Sequence, residues 1–184
     1  MIEFLRGIYR NIDALTAFAG TLFACCLPLA ILVSVANALS RKFLYWSSNS
    51  LLELQWYLFG ATFMLCAAWT LKNDKHVRID VISAHLKPGA RTFVEMAGLL
   101  LIVLPFTCVI FYLSVPYLMD SIASGERSNS VGGLVLWPPK ALITFGFLLL
   151  ILQVLAEIIK LAIGDKTFVT SDHSGAERRE SGPL

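Results

Sequence analysis

Apolar and charged positions fall into blocks along this chain. Four long stretches almost free of charge, residues 14–39, 51–71, 91–119 and 139–163, are separated by short polar segments. Each is near or above the roughly 20 apolar residues that carry an α-helix across a bilayer core. The pattern predicts an all-α integral membrane protein with four transmembrane helices, forming one membrane domain over residues 1–163. The second stretch ends most abruptly. An uncharged run from Leu54 to Leu71 gives way to Lys72-Asn73-Asp74-Lys75-His76-Val77-Arg78-Ile79-Asp80. Such a polar run marks a membrane face.

The remaining stretches carry local signals. In the first, Asn11 or Asp13 is placed to cap a helix start, and Pro28 is tolerated if neighbours satisfy the freed carbonyl. Ala17, Gly20 and Ala24 make a small-residue face for close helix packing. The third stretch has an uncharged core from Met96 to Met119, about 36 Å long at 1.5 Å per residue, so it tilts; Pro105 and Pro116 predict bends. Trp137-Pro138-Pro139-Lys140 opens the fourth, with proline where its missing N–H costs nothing.

The connections are equally distinct. Arg41 and Lys42 stand beside Phe43, Tyr45 and Trp46, a headgroup-level composition. Ser50-x-x-Glu53 has the spacing of a capping box, which predicts a helix cap at Ser50 and Glu53; Glu53 as an ion-coupling carboxylate is the competing reading. From His76 to Leu86, Asp74/Arg78 and His76/Asp80 are i,i+4 pairs and predict a short interfacial helix. Alternation of Val77, Ile79 and Val81 leaves a strand open. The third connection, rich in Ser and Gly, is expected to be flexible through Val131–Leu136. Residues 164–184 are polar and predict a disordered tail.

Charge placement sets the orientation. Arg6, Arg10, Lys72, Lys75, Arg78, Lys87, Arg91, Lys160, Lys166, Arg178 and Arg179 flank one side of the predicted spans; Arg41, Lys42, Arg127 and Lys140 flank the other. The positive-inside rule then places both termini and the His76 loop in the cytoplasm. The net charge of +2 points to no acidic partner, and no nucleic acid is expected. Residues 14–39 exceed the 7–15 residues or so of a signal-peptide core, so they read as a transmembrane helix.

Chemistry is sparse. Cys25, Cys26, Cys66 and Cys108 all lie in apolar runs and read as small buried residues. His76 and His85 with Asp80 make an improbable metal site, and no intramembrane histidine is available for haem. No phosphate loop, dinucleotide fingerprint or nucleophile elbow occurs, so neither an enzyme nor a cofactor is expected. Each carboxylate lies within a turn or two of a predicted helix end. A charge at a span centre costs ~2.5–3.5 kcal/mol on insertion scales, and all four centres avoid it. This favours a scaffold or accessory subunit over a stand-alone four-helix channel or carrier, or a membrane anchor of a redox complex.

Several motifs together carry a resemblance. Glu53-Leu54-Gln55-Trp56, Ala67-Ala68-Trp69-Thr70-Leu71-Lys72 and His76-Val77-Arg78-Ile79-Asp80 are joined by Ser124-Gly125-Glu126-Arg127-Ser128, Gly132-Gly133-Leu134, Trp137-Pro138 and Leu152-Gln153. The set resembles the small membrane subunit, DctQ-like, of tripartite ATP-independent periplasmic (TRAP) transporters. The second proline of Trp137-Pro138-Pro139-Lys140 departs from the pattern. The resemblance implies a multi-pass protein of the bacterial inner membrane. Its partners would be a large elevator-type permease subunit, a periplasmic substrate-binding protein and membrane lipids. It further implies sodium-driven symport of solutes, mostly carboxylates, with substrate and sodium sites in the other components. On that basis Glu126, Arg127, Trp137 and Lys140 are candidates for docking the binding protein. His76, Arg78 and Asp80 are candidates for a cytoplasmic structural network.

Overall fold

The computed structural model describes residues 2–46, 48–73 and 88–164, with the side chains of Pro88 and Arg91 left out. His76, Arg78 and Asp80, the interfacial helix expected around them, and the tail beyond Gly164 lie outside the described residues.

Among the described residues the regular structure is helical: α1 (Ile2–Ala24), α2 (Cys26–Phe43), α3 (Asn49–Lys72), α4 (Pro88–Gly98), α5 (Leu104–Ser124) and α6 (Trp137–Ile163). A π-helical turn, Leu99–Val103, joins α4 to α5. Four of the resulting spans are long and apolar enough to cross a membrane: Ile2–Phe43, Asn49–Lys72, Thr92–Ser124 and Trp137–Ile163. The single β-bridge among the described residues pairs Arg127 with Val135.

Proline explains both irregularities inside the spans. The ring of Pro28 displaces the carbonyl of Ala24, four residues earlier, and the helix breaks between Ala24 and Cys26. Pro105 likewise offers no N–H to Leu101. The preceding turn widens, and the Leu104 N–H reaches back to the Leu99 carbonyl, the pattern of a π-bulge.

The first helix starts at Ile2, well before residue 14. Ile2, Leu5, Ile8 and Tyr9 recur at helical spacing while Glu3, Arg6 and Arg10 take the other sides, so charge does not end the helix; it makes it amphipathic. Asn11 and Asp13 therefore sit inside α1 and do not cap it.

Helix α3 is the central post, packing on α1, α2 and α6; α6 packs in turn on α5 and α1. Two glycines set the closest approaches. A Cβ on Gly20 would lie 2.4 Å from Cγ of Trp69, and one on Gly146 would lie 2.9 Å from the Met64 carbonyl oxygen. Close backbone contact through small residues is how helices associate where lipid removes the hydrophobic drive. Thr62 reinforces the α1–α3 seam by donating to the Phe23 carbonyl at 3.1 Å. Outward-facing Phe18, Leu32, Phe63, Leu101 and Ile102 stay exposed, as a lipid-facing surface requires.

Candidate functional site

Polar groups gather at the two ends of this bundle. At one end the segment between α5 and α6 folds back as a tight loop. Gly125, in the left-handed region at φ 60°, closes α5. The Ser128 N–H then donates to the Leu134 carbonyl at 2.9 Å, the Gly133 N–H to Ser130 at 2.8 Å and the Leu136 N–H to Glu126 at 3.1 Å. Gly133 is required: a Cβ there would lie 2.5 Å from the Ser128 carbonyl oxygen.

The first turns of α3 hold this loop. Glu53 accepts the Leu134 N–H at 2.7 Å and, through its other carboxylate oxygen, the Ser128 hydroxyl. Ser50 donates to the Gly132 carbonyl, and Tyr57 to the Val135 carbonyl at 3.0 Å. The capping expectation for Ser50 and Glu53 is thereby corrected. The residue preceding α3 is Ser48, and its side chain makes no cap hydrogen bond. Ser50 and Glu53 serve a different backbone, about 80 residues on, supplying partners to the Gly132 C=O and the Leu134 N–H. The loop expected to be flexible through Val131–Leu136 is pinned at three of its carbonyl or amide groups.

Of the docking candidates, Glu126 and Lys140 face each other in an ion pair. Ser121 adds a hydrogen bond to the same carboxylate at 2.8 Å. The Lys140 ammonium also stands 3.7 Å from the centre of the Tyr117 ring, a cation–π contact. Hydrogen bonding from Lys140, then from Ser121, holds the Glu126 carboxyl below the usual carboxylate range. Lys140 is buried, so its charge is committed within the subunit. Arg127 is exposed and Trp137 is 45% exposed; these two present themselves outward.

The other end holds a cluster that the sequence reading missed. Lys160 bridges Asp13 at 2.9 Å and Glu157 at 2.8 Å. Gln153 donates to the same two carboxylates at 2.9 and 2.8 Å. Lys72 donates to the Asp13 backbone carbonyl at 2.8 Å. The cluster thus joins α1, α3 and α6. Gln153 and Glu157 are fully buried, and neither the Gln153 amide oxygen Oε1 nor the Glu157 oxygen Oε2 finds a hydrogen-bond partner among the described residues. Acceptors outnumber donors here, which makes Lys160 the group the others depend on.

A signal for this cluster existed. Gln153, Glu157 and Lys160 recur at i, i+4 and i+7, one face of an otherwise apolar helix. The missing piece was Asp13, placed outside the membrane domain's first helix when the charged residues before it were read as a boundary.

Neither cluster is arranged for bond-making chemistry. The described residues contain no group of three or more His, Cys, Asp or Glu that would hold a metal. What both arrangements do is fix helices and a loop to one another. A family model described as "Tripartite ATP-independent periplasmic transporters, DctQ component" matches residues 30–164. No curated protein matches the chain, and no solved structure does.

Proposed function

Since the chain belongs to the DctQ family of TRAP transporter components, a multi-pass membrane family and not an enzyme family, we propose that it is a fixed scaffold of its transporter. In this reading it braces the large permease subunit and presents the α5–α6 loop to the periplasmic substrate-binding protein. Both partners come from the tripartite architecture of the family. Sodium drives the uptake, the solute is a carboxylate, and the membrane is the bacterial inner membrane.

The observation that carries this reading is the grip of Glu53 on Ser128 and Leu134. A loop meant to move with a solute would not be tied by a carboxylate to the first turns of the central helix. A docking platform benefits from being held in place before its partner arrives, because less order is lost on binding. The ion-paired cluster of Asp13, Glu157 and Lys160 supports the same reading, since it ties the helices at the far end. Excess Lys and Arg flank that far end, so it faces the cytoplasm under the positive-inside rule, and the Glu53 end faces the periplasm. Arg127 and Trp137 are then the outward docking groups. Glu126 and Lys140 hold the loop from inside. His76, Arg78 and Asp80 remain proposals for a cytoplasmic network.

Uptake in cells that lack the chromosomal copy tests the assignment. Restoring the chain should restore solute uptake, with the permease present at equal amounts in both strains. Equal uptake with and without the chain would refute the scaffold role.

A further inference from the structure

A groove of about 720 Å³ runs between α2 and α3 on the outer, membrane-facing side of the bundle. Its composition changes along its length. Leu27, Ala30, Ile31 and Gly60 line the inner part. Ser34 on α2 and Gln55 on α3 add polar groups closer to the α2–α3 loop. Beyond them, Arg41 and Lys42 end α2. They follow Ser34 and Val35 by seven residues, two helical turns on the same face, roughly 10 Å further along at 1.5 Å per residue. Both are exposed. Exposed Tyr45 and Trp46 stand at the same level, where aromatic rings meet lipid headgroups.

We propose that this groove is a binding site for an anionic phospholipid of the leaflet on the α2–α3 loop side. The order of groups matches the order within such a lipid. Basic side chains meet the phosphate, Ser34 and Gln55 meet the ester region, and the apolar slot takes one acyl chain. Basic residues beside a membrane surface attract anionic lipids in particular. A permease helix seated in the slot would bring no phosphate to Arg41 and Lys42. The site does not depend on the docking role proposed above, and it holds whichever way the chain is oriented.

Gly60 provides the decisive variant. A Cβ built there meets nothing within 4 Å, and Gly60 lines the slot, so Gly60→Leu adds side-chain atoms to the slot wall from a position whose Cβ has open space. The test is native mass spectrometry of the chain in complex with its permease, exchanged into palmitoyl-oleoyl phosphatidylglycerol or the matching phosphatidylcholine. The native complex should retain phosphatidylglycerol in preference to phosphatidylcholine. Gly60→Leu should lower retention of both lipids roughly tenfold, the effect of exposing about two methylenes. The pair Arg41→Gln and Lys42→Gln should abolish the headgroup preference and leave phosphatidylcholine retention unchanged. Unchanged retention in Gly60→Leu would overturn the proposal. So would a permease helix occupying the groove in a map of the complex.

Discussion

Glu53, in the second turn of α3, accepts the backbone N–H of Leu134 at 2.7 Å across a sequence separation of 81 residues. One carboxylate therefore decides where a loop from the other half of the chain sits. Removing it takes away the side-chain acceptor of the Leu134 N–H and the closer of two acceptors of the Ser128 hydroxyl. Glu53→Ala should speed hydrogen exchange across 128–135 and lower uptake, while the subunit still copurifies with its permease. Unaltered exchange in that loop would show that Glu53 does not hold it.

Glu126 and Lys140 predict a pH dependence. The folded-state pKa of Glu126 lies below its ordinary value, so its contribution to loop order is fully present above an unfolded carboxylate pKa of about 4.3. It is lost as pH falls through the lower folded value. Hydrogen exchange of residues 121–136, corrected for intrinsic rates, should rise in that acidic window. In Glu126→Gln the acid-dependent step should shrink to the part due to Glu53, whose carboxyl is likewise held low by Ser128 and Leu134, with exchange already raised at neutral pH. An identical acid step in both proteins would contradict the assignment.

Asp13, Glu157 and Lys160 should behave as one unit. Lys160→Met leaves two carboxylates without their shared cation, and breaking a buried ion pair from one side costs about 3–5 kcal/mol. The thermal stability of the purified chain should fall sharply in Lys160→Met. It should recover partly when Asp13→Asn and Glu157→Gln are added. Additive losses across the three sites would argue against a coupled cluster.

Gly20 tests the α1–α3 seam. Any Cβ there meets the Trp69 ring at 2.4 Å from Cγ, and overpacking of this kind costs about 1–3 kcal/mol. Gly20→Ala should lower thermal stability, and Gly20→Ala with Trp69→Leu should lower it less. If Gly20→Ala melts at the unaltered temperature, the two helices do not approach that closely.

Long runs free of charge made the four spans legible, because a bilayer demands length and apolarity from each helix on its own. Helix ends were less legible. Ile2–Asp13 was placed ahead of the first helix, since charge and helix termination are easily confused in an amphipathic stretch. Ser50-x-x-Glu53 has a capping-box spacing, yet the partners are Gly132, Ser128 and Leu134, and no local rule reveals a contact over such a separation. Glu126 and Lys140 were singled out as outward charges; their pairing depends on how the loop returns to α6. Gln153, Glu157 and Lys160 were visible as a polar face, but their meaning waited on Asp13 arriving from α1.

The scaffold account is tested most directly in proteoliposomes containing this chain alone, the permease partner alone, or both, each supplied with the substrate-binding protein and an inward sodium gradient. Solute uptake should appear with both subunits and be absent with this chain alone. Sodium-driven uptake by this chain alone would contradict the account.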